Sequence, residues 1–165
     1  MSLRAHWFTE LEEPGKITAS SPAPVDAPGR LLALDLGAKR IGVAVSDELR
    51  ITTRPLPAIT RQSWKDLLRQ VAGLVQSLEA KGLVIGLPLR LDGAEGDAAE
   101  SVRAEAEKFR LSLSVPIYLQ DERLTTLAAQ SDLKASGRNE SERKREVDSE
   151  AAAIILRDFI DRMQS

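Results

Sequence analysis

Residues Leu31 to Ser46, LLALDLGAKRIGVAVS, constrain the fold of this chain more than any other stretch. Leu31-Leu32-Ala33-Leu34 is apolar at every position, the pattern of a strand buried on both faces. It runs straight into Asp35. After Gly37, Lys39 and Arg40 a second arm, Ile41-Gly42-Val43-Ala44-Val45, alternates large and small residues. Two strands joined by a short glycine-containing turn predict a hairpin. An acid ending an all-apolar strand needs a partner, because an unpaired buried charge is strongly disfavoured. Two kinds of partner fit: the amides of the turn, which Asp beside Gly commonly caps, or a cation.

The rest of the chain supplies the elements such a hairpin needs. Residues 1–29 stand apart, because Ser20 to Gly29 (SSPAPVDAPG) has linker composition. Residues 1–29 are therefore expected to be a disordered extension, and residues 30–165 one folded domain. His6-Trp7-Phe8 is the tail's one apolar spot, and a small docking segment is the alternative. Ile51 to Ile59 reads as an edge strand, since Pro55 and Pro57 lack an N–H. Ser63 suits the N-cap of a helix from Trp64 to about Ala80, with apolar residues at three- and four-residue steps and Gly82 as its stop. Further strands are expected at Leu83–Leu87 and Val115–Leu119. Helices are expected at about Asp97–Leu111, Thr125–Ala135 and Val147–Met163, with a mobile loop over Gly137–Glu146. Three strands followed by helix–strand alternation predict an α/β fold, a mixed sheet with helices on both faces.

The chemistry open to this chain is narrow. It has no cysteine, and its one histidine, His6, lies in the tail, so thiol chemistry, histidine triads and His/Cys zinc sites are disfavoured. Carboxylates are left to build a site. Besides Asp35, two acids are out of place. Asp148, read as lying in the first turn of the last helix, counts forward by four, seven and eleven to Ala152, Ile155 and Phe159, which puts it on the apolar stripe. The alternative is a charge that stabilises a helix N-terminus. Glu122 follows a strand, flanked by Asp121 and Arg123, and the alternative there is a solvated turn. Three carboxylates without histidine suit hard cations such as Mg2+ or Mn2+, and two such ions can serve phosphodiester hydrolysis.

Four blocks, DLGAKRIGVAVSD (Asp35–Asp47), GLPLRLDG (Gly86–Gly93), DERLTT (Asp121–Thr126) and VDSEAAAIIL (Val147–Leu156), resemble the signature blocks of the YqgF/RuvX family. That family comprises RNase H-like nucleases described as Holliday junction resolvase homologues and as pre-16S ribosomal RNA processing nucleases. The resemblance spans about Leu31 to Phe159. It implies an RNase H-like fold, a five-stranded mixed sheet with the second strand antiparallel, flanked by helices. It also implies Asp35, Glu122 and Asp148 as catalytic and metal-binding acids, with Mg2+ or Mn2+, two ions, as cofactor. The superfamily often takes its second acid from the fourth strand, which here ends in Gly86-Leu87-Pro88. The second acid must then come from Asp121-Glu122, or from Asp92.

Lys39, Arg40, Arg90 and Arg123 lie around the same end and are the expected substrate-binding residues, each with solvated surface charge as its alternative. With a net charge of −2, any grip on nucleic acid must come from such local patches. The leading expectation is a metal-dependent, structure-specific endonuclease acting on structured RNA, the precursor of 16S rRNA, or on branched DNA. A two-fold symmetric junction would suit a homodimer. An actin- or sugar-kinase-like nucleotide-binding module shares the Asp-x-Gly hairpin but needs far more chain, and an inactive nucleic-acid-binding scaffold would not need all three acids. No run of about 18 apolar residues and no signal-peptide pattern appear, so no membrane partner and a cytoplasmic location are expected.

Overall fold

The computed structural model describes residues 9–10, 28–90, 92–122 and 140–164. A six-stranded sheet is built from β1 (Thr9–Glu10), β2 (Leu31–Leu36), β3 (Arg40–Ser46), β4 (Thr53–Thr60), β5 (Gly82–Leu87) and β6 (Ile117–Asp121), in the spatial order β1-β6-β5-β2-β3-β4. Strands β2, β5 and β6 are parallel, and β3 is antiparallel to β2, which is the mixed five-stranded arrangement expected. The sixth strand is the difference. Within the tail, Thr9 and Glu10 pair antiparallel with Leu119 and Tyr118, extending the sheet beyond β6. Strand β4 is the opposite edge, where Pro55 and Pro57 leave no inner ladder position without a donor.

Helices α1 (Trp64–Ser77) and α2 (Asp97–Ser112) cover one face, and α3 (Glu140–Gln164) covers the other. Ser63 caps α1 as expected, its Oγ accepting from the Asp66 N–H at 3.1 Å. The helix stops earlier than expected. Glu79 takes a left-handed φ of 53°, the Ala80 N–H donates to the Val75 carbonyl and the Glu79 N–H to that of Gln76. This is a Schellman ending on a non-glycine residue, while Gly82 instead opens β5. Two further expectations shift. Strand β6 begins at Ile117, two residues late, so that Asp121 is still in the ladder. The last helix begins at Glu140 rather than about Val147, so residues 140–146 are helical and not a loop. The expected helix at Thr125–Ala135 lies outside the described residues. Among the described residues no helix is long and apolar enough to cross a membrane.

The alternation of large and small residues in β3 is a sorting of faces. Ile41, Val43 and Val45 join Leu32, Leu34, Leu83, Ile85, Ile117 and Leu119 against α1 and α2. Ala44 joins Ala33, Val84 and Tyr118 beneath α3 and its Ala152, Ile155 and Phe159. Small residues on that face let α3 approach closely, and the approach is tightest at Gly42. A β-carbon there would overlap the carbonyl of Asp148. The buried Ser149 fixes the contact: its hydroxyl donates to the Leu56 carbonyl at 2.6 Å and accepts from the Val43 N–H at 3.5 Å.

Two glycines separate this close approach from ordinary glycine effects. Gly42→Ala forces α3 off the sheet and is expected to destabilise the protein by about 1–3 kcal/mol. Gly73, inside α1, has open space around its α-carbon, so Gly73→Ala is expected to stabilise by about 0.4–1 kcal/mol through helix propensity and unfolded-state entropy. Urea denaturation of the two variants checks both signs.

Candidate active site

Parallel strands deliver their C-terminal ends to one rim of a sheet, and here that rim carries the acids. Asp35 lies at the end of β2, with Gly42 of β3 directly opposite it in the ladder. On the other side Leu34 pairs with Ile85, which sets Gly86 beside Asp35. Gly86 in turn pairs with Gln120 of β6, two residues before Glu122. Asp35 therefore stands between two strand glycines, a position where another group can approach the backbone closely. At Gly86 that group is the carboxylate of Glu122: a β-carbon there would overlap its Oε2. At Gly42 it is the backbone of Asp148.

The three acids do not sit as equals. Asp35 and Glu122 are hydrogen-bonded to each other. Burial pushes Asp35 up to about 6, the bond from Glu122 opposes this, and the charge of Asp148 adds to it. Burial pushes Glu122 further, to about 8, with help from the charge of Asp35, their shared bond and the charge of Asp121. At neutral pH this pair holds one proton between two carboxyls. Asp148 is also raised by burial, but Arg40 works against the rise. The Arg40 Nε donates to Asp148 Oδ2 at 2.9 Å, and the two side chains are 27% and 25% exposed. Asp148 lies more than two turns inside α3, which removes the reading of it as a helix-terminus charge.

The turn that follows Asp35 is clamped from outside. The Arg61 backbone N–H donates to the Lys39 carbonyl at 2.8 Å, and its Nε donates to the Gly37 carbonyl at 2.9 Å. Its two terminal nitrogens form a fork on Glu105 of α2 at 2.9 and 3.1 Å. Arg61, Gly42 and Ser149 support these acids without having been singled out in the sequence, where Gly86 is read only as the end of the fourth strand and the start of a glycine loop that can approach phosphate. The two strand glycines were the available signal; for Arg61 there was none, because its partners are brought together only by folding.

Of the basic residues expected to hold phosphate, Lys39 and Arg90 are exposed at this end, Arg40 is engaged by Asp148, and Arg123 lies outside the described residues. Arg90 packs over Gly96 at the start of α2. Asp92, the other candidate for second acid, is used locally, its Oδ1 accepting from the Ala94 N–H at 2.9 Å. Asp47, which ends the first block, likewise serves a turn, accepting from the N–H groups of Ile51 and Thr52 at 2.7 and 2.9 Å.

The arrangement concentrates negative charge that a cation would relieve. Among the described residues no group of three potential ligands stands arranged to hold a metal ion as the side chains now lie. The chemistry of the donors nevertheless fits one. Burial and mutual charge push Asp35 and Glu122 up towards their protonated forms, and the Arg40 guanidinium lies on Asp148; a hard divalent ion would supply the positive charge these acids call for.

The family model described as RuvX, Holliday junction resolvase, matches residues 29–162. A protein of Anaeromyxobacter sp. (strain K) named "Putative pre-16S rRNA nuclease" is 41% identical over 133 residues, covering 81% of this chain and 97% of its own. One of the same name from Syntrophus aciditrophicus (strain SB) is 42% identical over 132 residues, covering 80% and 88%. Among solved structures, RuvC of T. thermophilus in complex with a Holliday junction substrate superposes with a TM-score of 0.54 at 12% identity, covering 83% of this chain and 97% of that one, a likeness of fold.

The raised acids fix the sign of a pH effect on the cation-free protein. Between about pH 4 and pH 8 the folded state binds more protons at Asp35 and Glu122 than the unfolded chain does. Their stabilising contribution is therefore complete at the acid end and is lost as pH rises through about 6 and then about 8. Thermal melts in a chelating buffer should show the melting temperature falling over this range. Asp35→Asn, which removes one of the interacting charges, should flatten the fall and melt higher than the parent above pH 7.

Proposed function

The chain belongs to the RuvX family, and from that premise we propose that it is a divalent-metal-dependent, structure-specific endonuclease that processes the precursor of 16S rRNA. One observation carries the reading: folding sets Gly42 and Gly86 on the strands either side of Asp35, with the backbone of Asp148 seated on the first and the carboxylate of Glu122 on the second, so the three acids gather at one rim. Asp35, Glu122 and Asp148 are the proposed metal ligands and catalytic acids. A divalent ion bound there supplies a Lewis acid and lowers the pKa of water. The residues of the chain do the rest. Burial keeps the carboxylates out of competition with bulk water, Gly86 leaves room for Glu122 beside Asp35, and Ser149 holds the depth of α3 and hence of Asp148. Lys39 and Arg90, exposed on the same rim, together with Arg123, are proposed to hold backbone phosphates.

Cleavage of branched DNA is the second reading, favoured by the fold likeness to a resolvase solved on a Holliday junction. A panel of precursor 16S rRNA fragments, four-way junctions and linear duplexes, each with Mg2+ or Mn2+, separates the two. Asp35→Asn, Glu122→Gln and Asp148→Asn should each lower cleavage by at least about a hundredfold at saturating metal. Asp121→Asn should cost far less, because Asp121 ends the β6 ladder opposite Leu87 and is not one of the three proposed ligands. Near-parental activity in any of the first three sinks the proposed site.

Binding should report the same selectivity. A net charge of −2 leaves few phosphate contacts on a simple duplex, and log affinity falls against log salt with a slope of about −0.9 per contact. Folded RNA or branched DNA, presenting several backbones to the basic rim, should bind more tightly and with a steeper slope. Filter binding over a salt series measures both, and equal slopes on linear and structured substrates would count against structure-specific recognition.

A further inference from the structure

The residue whose expected role the structure most alters is Arg40. It is the first residue of β3, with its backbone paired to Thr60 and the preceding turn clamped by Arg61. Its backbone is therefore fixed while its side chain reaches across to α3. There it meets Asp148 through Nε alone, unlike the two-nitrogen fork that Arg61 presents to Glu105. A single-point contact between side chains about a quarter exposed is the kind of ion pair that can be exchanged. The acid it holds is the one that must turn toward Asp35 and Glu122 if all three are to share a cation.

We propose that Arg40 is an exchangeable counter-ion: its guanidinium holds Asp148 while no divalent cation is bound, and leaves it for substrate phosphate when one binds. The inference rests on the metal-dependent reading above. Guanidinium and cation compete for the same carboxylate, so the pair lowers the affinity of these acids for a cation. The exchange also links the two ligands, because a cation that frees Arg40 adds a phosphate contact, and linkage requires the nucleic acid to tighten the cation in return.

Calorimetric titration of Mn2+ into the parent, Arg40→Gln, Arg40→Lys and the Asp148→Asn versions of parent and Arg40→Gln tests this without any cleavage assay. Removing the competitor should tighten Mn2+ about fivefold in Arg40→Gln, and less in Arg40→Lys, which keeps the charge. In the Asp148→Asn background, Arg40→Gln should change nothing. A role confined to holding the fold would loosen Mn2+ rather than tighten it. Should Arg40→Gln fail to fold, the parent itself answers: its Arg40 Nε–H resonance, assigned by its loss in Arg40→Lys, should shift on adding Mg2+. A parent that binds Mn2+ beside an Arg40→Gln of equal or weaker affinity, or an Arg40 resonance that stays put, overturns the exchange alone. A parent that binds no Mn2+ overturns both the exchange and the metal-dependent reading.

Discussion

The backbone of α3 lies against β3 at Gly42 with no side chain between them, and the placement of the acids follows from that contact. Gly42 faces Asp35 across the ladder, so the point of closest approach brings Asp148 beside the end of β2. A larger residue would lift the helix, and with it Asp148, away from Asp35. The small residues around it, Ala33 and Ala44 on the sheet and Ala152 on the helix, extend the close contact along α3. Ser149 locks it by bonding the Val43 N–H of β3 and the Leu56 carbonyl of β4, next to the register shift between Ile41 and Val43. Packing and chemistry are here one constraint.

The same closeness creates an electrostatic cost. Three carboxylates at one rim repel, and burial removes the water that would screen them. Two effects offset this: Asp35 and Glu122 are pushed up towards their protonated forms, and the Arg40 guanidinium lies on Asp148. A cluster of acids held together in this way has a stability that depends on pH.

A third layer keeps the rim in register. The turn between β2 and β3 lies at the sheet's end and is held from outside as well as by its own hydrogen bonds. Arg61, just past β4, ties its Gly37 and Lys39 carbonyls to Glu105 on α2. The helix layer remote from α3 thereby braces the loop that presents Lys39 and Arg40.

By itself the sequence determined the local terms. The all-apolar arm of β2, the hairpin, the Ser63 cap, the proline-marked edge strand and the stripe through Ala152, Ile155 and Phe159 each follow from a few neighbouring residues, and each is present. Asp35, Glu122 and Asp148 were visible as acids out of place for the same reason, because a charge on an apolar pattern is a local contradiction. The starts of β6 and α3 were misplaced, since element ends depend on what packs against them. What only the tertiary structure decided is how the acids meet. The sorting of β3 into a large face and a small face, the room that Gly86 leaves for Glu122, and the partners of Arg40 and Arg61 join residues distant in the chain, 108 positions apart for Arg40 and Asp148. Such contacts are set by the register of strands and the depth of a helix, quantities that no short stretch of sequence contains.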